Sequence, residues 1–205
     1  MSHDRYYAVT LDGRVTKTLY QDPLLLPSRA LAVAIAEEWD SQQEKIDVQT
    51  LKLSQMLAKA VRTSHDPSLK AHMQKELLTI LSNDQICFRE APGTPNEYKA
   101  KLADKQHKVM EPVRKFIRDK FNVNLKVWHN IPLEDQDASV HNIVPVVENL
   151  DPWVLNSVFQ CSQATKSAAV SFKLIWRGAS EIEAPLSSKY SLEEAIRCAR
   201  VDEQH

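Results

Sequence analysis

The 205-residue chain predicts an α+β protein, with a small N-terminal domain containing a β-hairpin (residues 1–66) followed by an all-α C-terminal domain (residues 67–205). Three observations carry this. Asp12-Gly13 lies between two short alternating stretches, and a two-residue loop of that type is the strongest short-range hairpin signal. Strand-like alternation mostly stops after residue 67. From there on, apolar residues recur at helical spacing in one stretch after another.

Tyr6 to Leu11 reads as a strand and Arg14 to Leu19 as its return. Pro23 to Pro27 reads as a short edge segment, because proline cannot donate to a ladder. Ser28 is a good N-cap for a helix to about Gln43, on which Leu31, Ile35 and Trp39 share one face. Asp47 is expected to cap a second helix carrying Val48, Leu51, Leu57 and Val61, and Thr63 to Pro67 is a plausible linker. Beyond it, helices are expected over 68–83, 97–122 with a kink at Pro112, 140–150 and 153–175. Ser191 and Glu194 have capping-box spacing and open a last helix. Ile86-Cys87-Phe88 is a short strand or buried coil, 91–96 is broken by Pro92, Gly93 and Pro95, and 130–137 is a polar loop.

Composition narrows the function classes. With 43% apolar residues the chain can bury a core, and 26 basic against 27 acidic side chains leave no basic excess for nucleic acid. The three glycines, Gly13, Gly93 and Gly178, stand too far apart for a phosphate-cradling loop. Cys87, Cys161 and Cys198 form no CxxC pair and read as buried thiols in a reducing compartment. No apolar run reaches membrane-spanning length. The histidines are scattered without ligand spacing, no GxSxG elbow is present, and adjacent acids such as Glu37-Glu38 read as solvated helix faces. The expectation is a protein without catalytic residues, metal, cofactor or small-molecule substrate. Trp39 is expected in the core on the Leu31–Ile35 face, where it can also shape a partner site. The basic stretch from Lys99 to Lys120, with Lys108, Arg114 and Lys115, offers an alternative surface for RNA or another anionic partner, although a solvated helix face is its ordinary explanation.

Taken in order, several motifs span nearly the whole chain. They are Leu11-Asp12-Gly13-Arg14, Leu26-Pro27-Ser28, Glu38-Trp39-Asp40 with Ile46-Asp47, Asp84 with Ile86-Cys87-Phe88-Arg89, Glu111-Pro112, and Arg200-Val201-Asp202-Glu203. In this order they resemble the mitochondrial and alphaproteobacterial family of F1-ATPase assembly chaperones that bind the α subunit. The resemblance implies a non-enzymatic chaperone that covers the unassembled α subunit until the β subunit arrives, working as a monomer in the mitochondrial matrix without membrane insertion, its presequence absent from this chain. It implies Glu38, Trp39 and Asp40 as a structurally critical segment, and Arg200, Asp202 and Glu203 as candidates for the working surface. The chain departs from the family pattern at Lys59-Ala60-Val61-Arg62, at Met110 where tryptophan is usual, and across 177–189, which looks inserted. An interaction factor of another mitochondrial assembly, such as a ribonucleoprotein particle, is the alternative.

Overall fold

Asp12 (φ 50°) and Gly13 (φ 76°) both take the left-handed conformation that a tight hairpin loop requires. They join β2 (Thr10–Leu11) to β3 (Arg14–Val15), with Thr10 opposite Val15 and Leu11 opposite Arg14. A computed structural model describes residues 6–18, 20–43, 45–129, 135–136, 138–176 and 190–203. It divides into two units, Met1–Lys70 and Ala71–His205.

In the first unit the strand expected over 6–11 changes partner part-way. Its first half, β1 (Tyr7–Ala8), pairs antiparallel with β4 (Leu25–Leu26). Lys17 forms an isolated bridge with Pro23, and the Leu24 N–H donates to the Thr16 carbonyl at 3.0 Å. The segment expected at an edge is therefore paired in succession, first with the return strand and then with β1, and proline's missing donor is accommodated at a bridge of a single pair.

Ser28 caps α1 (Arg29–Asp40), its hydroxyl accepting the Leu31 N–H at 3.3 Å. The helix stops at Asp40, short of Gln43. α2 begins at Lys52 and runs to His65. Asp47 does not cap it. Its carboxylate accepts the Gln49 N–H at 2.9 Å and its carbonyl the Thr50 N–H at 3.0 Å, closing a local turn instead. Leu24, Leu26, Ile35, Leu51, Ala58 and Val61 form the buried core of this unit. The expected linker is reduced to Asp66, which accepts the Leu69 N–H at 3.0 Å ahead of α3 (Pro67–Ser82). Proline is at home in a first helical turn, so Asp-Pro starts a helix here instead of loosening the chain.

In the second unit a 3₁₀ turn over Gln85–Cys87 follows α3, and Phe88 forms one parallel bridge with Trp128. α4 (Glu97–Phe121) contains Pro112 and ends on Asn122 in the left-handed conformation (φ 54°). The stretch expected as a helix from 140 to 150 begins as a 3₁₀ turn, Ala138–Ile143, and continues as α5 (Val144–Glu148). The helix expected over 153–175 is two: α6 (Pro152–Thr165) and α7 (Ala168–Ile175). Lys166 at φ 54° ends the first, and the Ser167 hydroxyl caps the second by accepting the Val170 N–H at 3.0 Å. α8 (Leu192–Ala199) opens with the expected Ser191–Glu194 capping box and passes into a 3₁₀ turn, Val201–Glu203. α7 packs on α6, α4 and α8, and its Phe172 is fully buried with Leu77, Met110, Ile117 and Leu155. The segment 177–189 and most of the 130–137 loop lie outside the described residues. No described helix is long and apolar enough to cross a membrane.

Candidate functional site

α2 lacks a side-chain cap of its own, since its N-cap residue is Leu51. The cap comes from α1. Glu38 accepts the Leu53 N–H at 2.7 Å and, through its other oxygen, the Ser54 N–H at 2.9 Å. A carboxylate at a helix N-terminus satisfies orphan donors and meets the positive end of the helix dipole. The Ser54 hydroxyl donates to the same carboxylate at 2.8 Å and accepts the Trp39 indole N–H at 2.9 Å. Glu38 and Trp39 thus fix the α1–α2 corner as one connected network. Gln42 ties the loop between them, donating to the Thr50 hydroxyl at 3.1 Å and accepting the Asp47 N–H at 3.0 Å.

Trp39 is half-buried. It borders two clefts of the first unit, and neither is a closed cavity. One, of about 580 Å³, has a strand wall of Val9, Thr10, Leu11 and Thr16 and a helix wall that includes Val33, Glu37, Trp39 and Asp40, with Ile46 at its end. The other, of about 560 Å³, lies along the hairpin and includes Asp12, Arg14 and Lys17. Trp39 is therefore not the core residue the spacing predicts; Ile35, one turn earlier, is fully buried. Thr16 also lines both clefts. It is buried, and its hydroxyl has no hydrogen-bond partner among the described residues, which costs about 1–3 kcal/mol. Apolar exposure concentrates here. Among the described residues, eleven of the sixteen exposed large apolar side chains lie between Tyr6 and Met56, including Leu11, Val33 and Ile46.

The second unit spends its polar motif residues on its own fold. Asp84 is fully buried and accepts the Ile86 N–H at 3.2 Å and the Ala169 N–H at 2.9 Å, joining the 3₁₀ turn to the start of α7. Burial pushes its carboxyl up to about 6, against the opposing pull of the Ala169 hydrogen bond. Arg89 is buried, donating to the Ile86 carbonyl at 2.9 Å and to Glu111 at 3.2 Å. Glu111 also takes Arg114, at 2.8 Å, and the hydrogen bond from Arg114 holds its carboxyl below the usual range. Arg114 further donates to the Leu125 carbonyl at 3.1 Å. Its guanidinium is thus engaged internally, whereas Lys108 and Lys115 are exposed. Burial pushes the Cys87 thiol up to about 12 and the Cys198 thiol up to about 11, so both are protonated at neutral pH. At the C-terminal signature Val201 is buried, and Asp202 accepts the Gln106 amide at 2.7 Å. Arg200 and Glu203 form an exposed pair at 2.8 Å. No group of three or more His, Cys, Asp or Glu among the described residues could hold a metal ion.

The model of the ATP12 chaperone protein family matches residues 1–118, more than half of the chain. The chain belongs to the ATP12 chaperone protein family. Solved structures of ATP12-type chains share the fold over nearly the whole length. The chain is similar to Atp12 from Paracoccus denitrificans, with 26% identity and a TM-score of 0.75, over 96% of this chain and 76% of that one. A mutant of P. denitrificans Atp12p aligns with 25% identity and a TM-score of 0.77, over 99% and 79% of the two chains. The Atu1473 protein of Agrobacterium tumefaciens shares the fold at 24% identity and a TM-score of 0.78, over 98% and 69%.

Within this ATP12 fold the sites where the chain departs from the expected pattern have local explanations. Met110 is fully buried in α4, so a large apolar side chain still fills its position. On α2, Ala60 and Val61 are buried while Arg62 stands over the Tyr20 ring, 4.4 Å from its centroid. Sequence reasoning missed Ser54, Gln106 and Thr16. Ser54 and Gln106 gain their roles from partners 15 and 96 positions away, and no local spacing announces them.

Proposed function

We propose that this ATP12-family chain is an assembly chaperone for the F1-ATPase α subunit, holding it unassembled and soluble until the β subunit takes its place. The observation that carries this reading is the open, partly apolar surface around Trp39 on a chain of this family. Exposed apolar clefts suit a protein that covers the sticky interface of another and later yields to the true partner. The reading includes a monomer working in the mitochondrial matrix, with no reaction of its own. Asp40, Arg200 and Glu203 are the proposed contact residues, because all three are exposed. Glu38, Trp39 and Asp202 are proposed to act through the fold by holding the α1–α2 corner and the last turn. The ribonucleoprotein alternative has weaker support, since Arg114 is engaged with Glu111, and Lys99 and Lys101 pair with Glu90 and Glu97.

Co-expression of the chain with the F1 α subunit tests the proposal. The expected result is soluble α that co-elutes with the chain and exchanges onto β. Aggregated α with no co-elution would overturn it.

A further inference from the structure

We infer that the cleft between Thr10–Leu11 and the C-terminal half of α1 is a peptide groove. It takes an extended client segment in which a large apolar side chain stands close to a lysine or arginine. The inference rests on the chaperone reading only in that the segment belongs to the client.

Four observations specify the occupant. The cleft's volume of about 580 Å³ lies within the range of formed ligand pockets and suits one large side chain with its flanking backbone. Leu11, Val33 and Ile46 stand exposed along it, at 46%, 46% and 51%, so the seat for that side chain is apolar. Among the described residues, the only charged ones lining it are Glu37 and Asp40. Both are exposed, and neither is paired with a cation among the described residues. A cation on the segment is the complement of that rim.

The backbone supplies the fourth observation. The Thr16 N–H donates to the Val9 carbonyl at 2.9 Å, which makes Val9–Thr16 a hydrogen-bonded pair. The antiparallel alternation then directs the Thr10 amide and carbonyl away from β3, on the strand wall of the cleft. An extended segment can pair with them by strand addition, which selects strand over helix as its conformation.

The test is selection of a random peptide display library on the intact chain and on the double variant Glu37→Lys/Asp40→Lys. Both substituted residues are exposed, so thermal melting should coincide. The expected result is enrichment of peptides with a large apolar residue near Lys or Arg on the native chain. Those peptides should lose affinity about tenfold or more on the variant, which should instead enrich acidic counterparts. No enrichment, enrichment without a basic residue, self-association of the chain through this face, or the same peptides from both proteins would overturn the groove. Capture of F1 α by the intact chain is scored separately. Failure there strikes the chaperone reading and leaves the peptide result standing.

Discussion

The two units differ in how much apolar surface they leave in the open. The second unit closes on itself: Asp84, Arg89 and Gln106 are buried and hydrogen-bonded to backbone or to one another's neighbours. The first unit holds most of the exposed large apolar side chains among the described residues. A scaffold gains rigidity from satisfied networks. A surface meant to be covered by something else keeps apolar area in water. Motif residues therefore mean different things in the two units, with cohesion dominating in one and presentation in the other.

Mutations can break this contrast, and the largest effect belongs to the closed unit. Asp84→Ala should cost about 3 kcal/mol in urea unfolding, because two buried N–H groups, of Ile86 and Ala169, lose their acceptor. An unchanged midpoint would show that the network does not hold the unit. The same residue predicts a pH dependence. Its carboxyl is raised by burial from 3.8 to about 6. Between those values the native state keeps a proton that the unfolded chain has released. Stability should therefore fall as pH rises from about 4 to about 6 and level off above, a span worth about 3 kcal/mol. Asp84→Asn should flatten that slope, and a slope that persists in the variant would assign it to other groups.

In the open unit, Glu38→Ala should cost about 2 kcal/mol by uncapping α2. Trp39→Phe keeps a smaller aromatic ring and removes the hydrogen bond to Ser54, so about 1 kcal/mol from that bond, plus a small packing loss, is expected. Both are read by chemical denaturation, and equal losses would mean that Trp39, not the cap, organises the corner. The smallest stability effect, within about 0.5 kcal/mol, is expected for Glu203→Lys, whose ion pair is exposed. Under the proposed function it should still weaken capture of the F1 α subunit, and equal capture would remove Glu203 from the contact surface.

Much of the fold was legible locally. The Asp12-Gly13 turn, the Ser28 cap and the Ser191 capping box depend on residues within three or four positions of each other, and each formed where its spacing predicts. Two misreadings have local backbone causes. Asp47 had a nearer turn to close, and apolar spacing ran straight through Lys166, whose left-handed backbone splits α6 from α7. The Trp39 position failed differently, because helical periodicity gives a face but not how far along it the core extends.

The sequence by itself determined the broad order of strands and helices, the caps at Ser28 and Ser191 and, through its ordered motifs, the chaperone family it resembles. These are properties of near neighbours and of residue order. Only the tertiary structure decided that Glu38 caps a helix not its own, that Arg89 turns inward to Glu111, and that Asp202 is tied to Gln106. Hydrogen bonds and burial depend on distance in space, and folding brings together side chains that the chain keeps far apart.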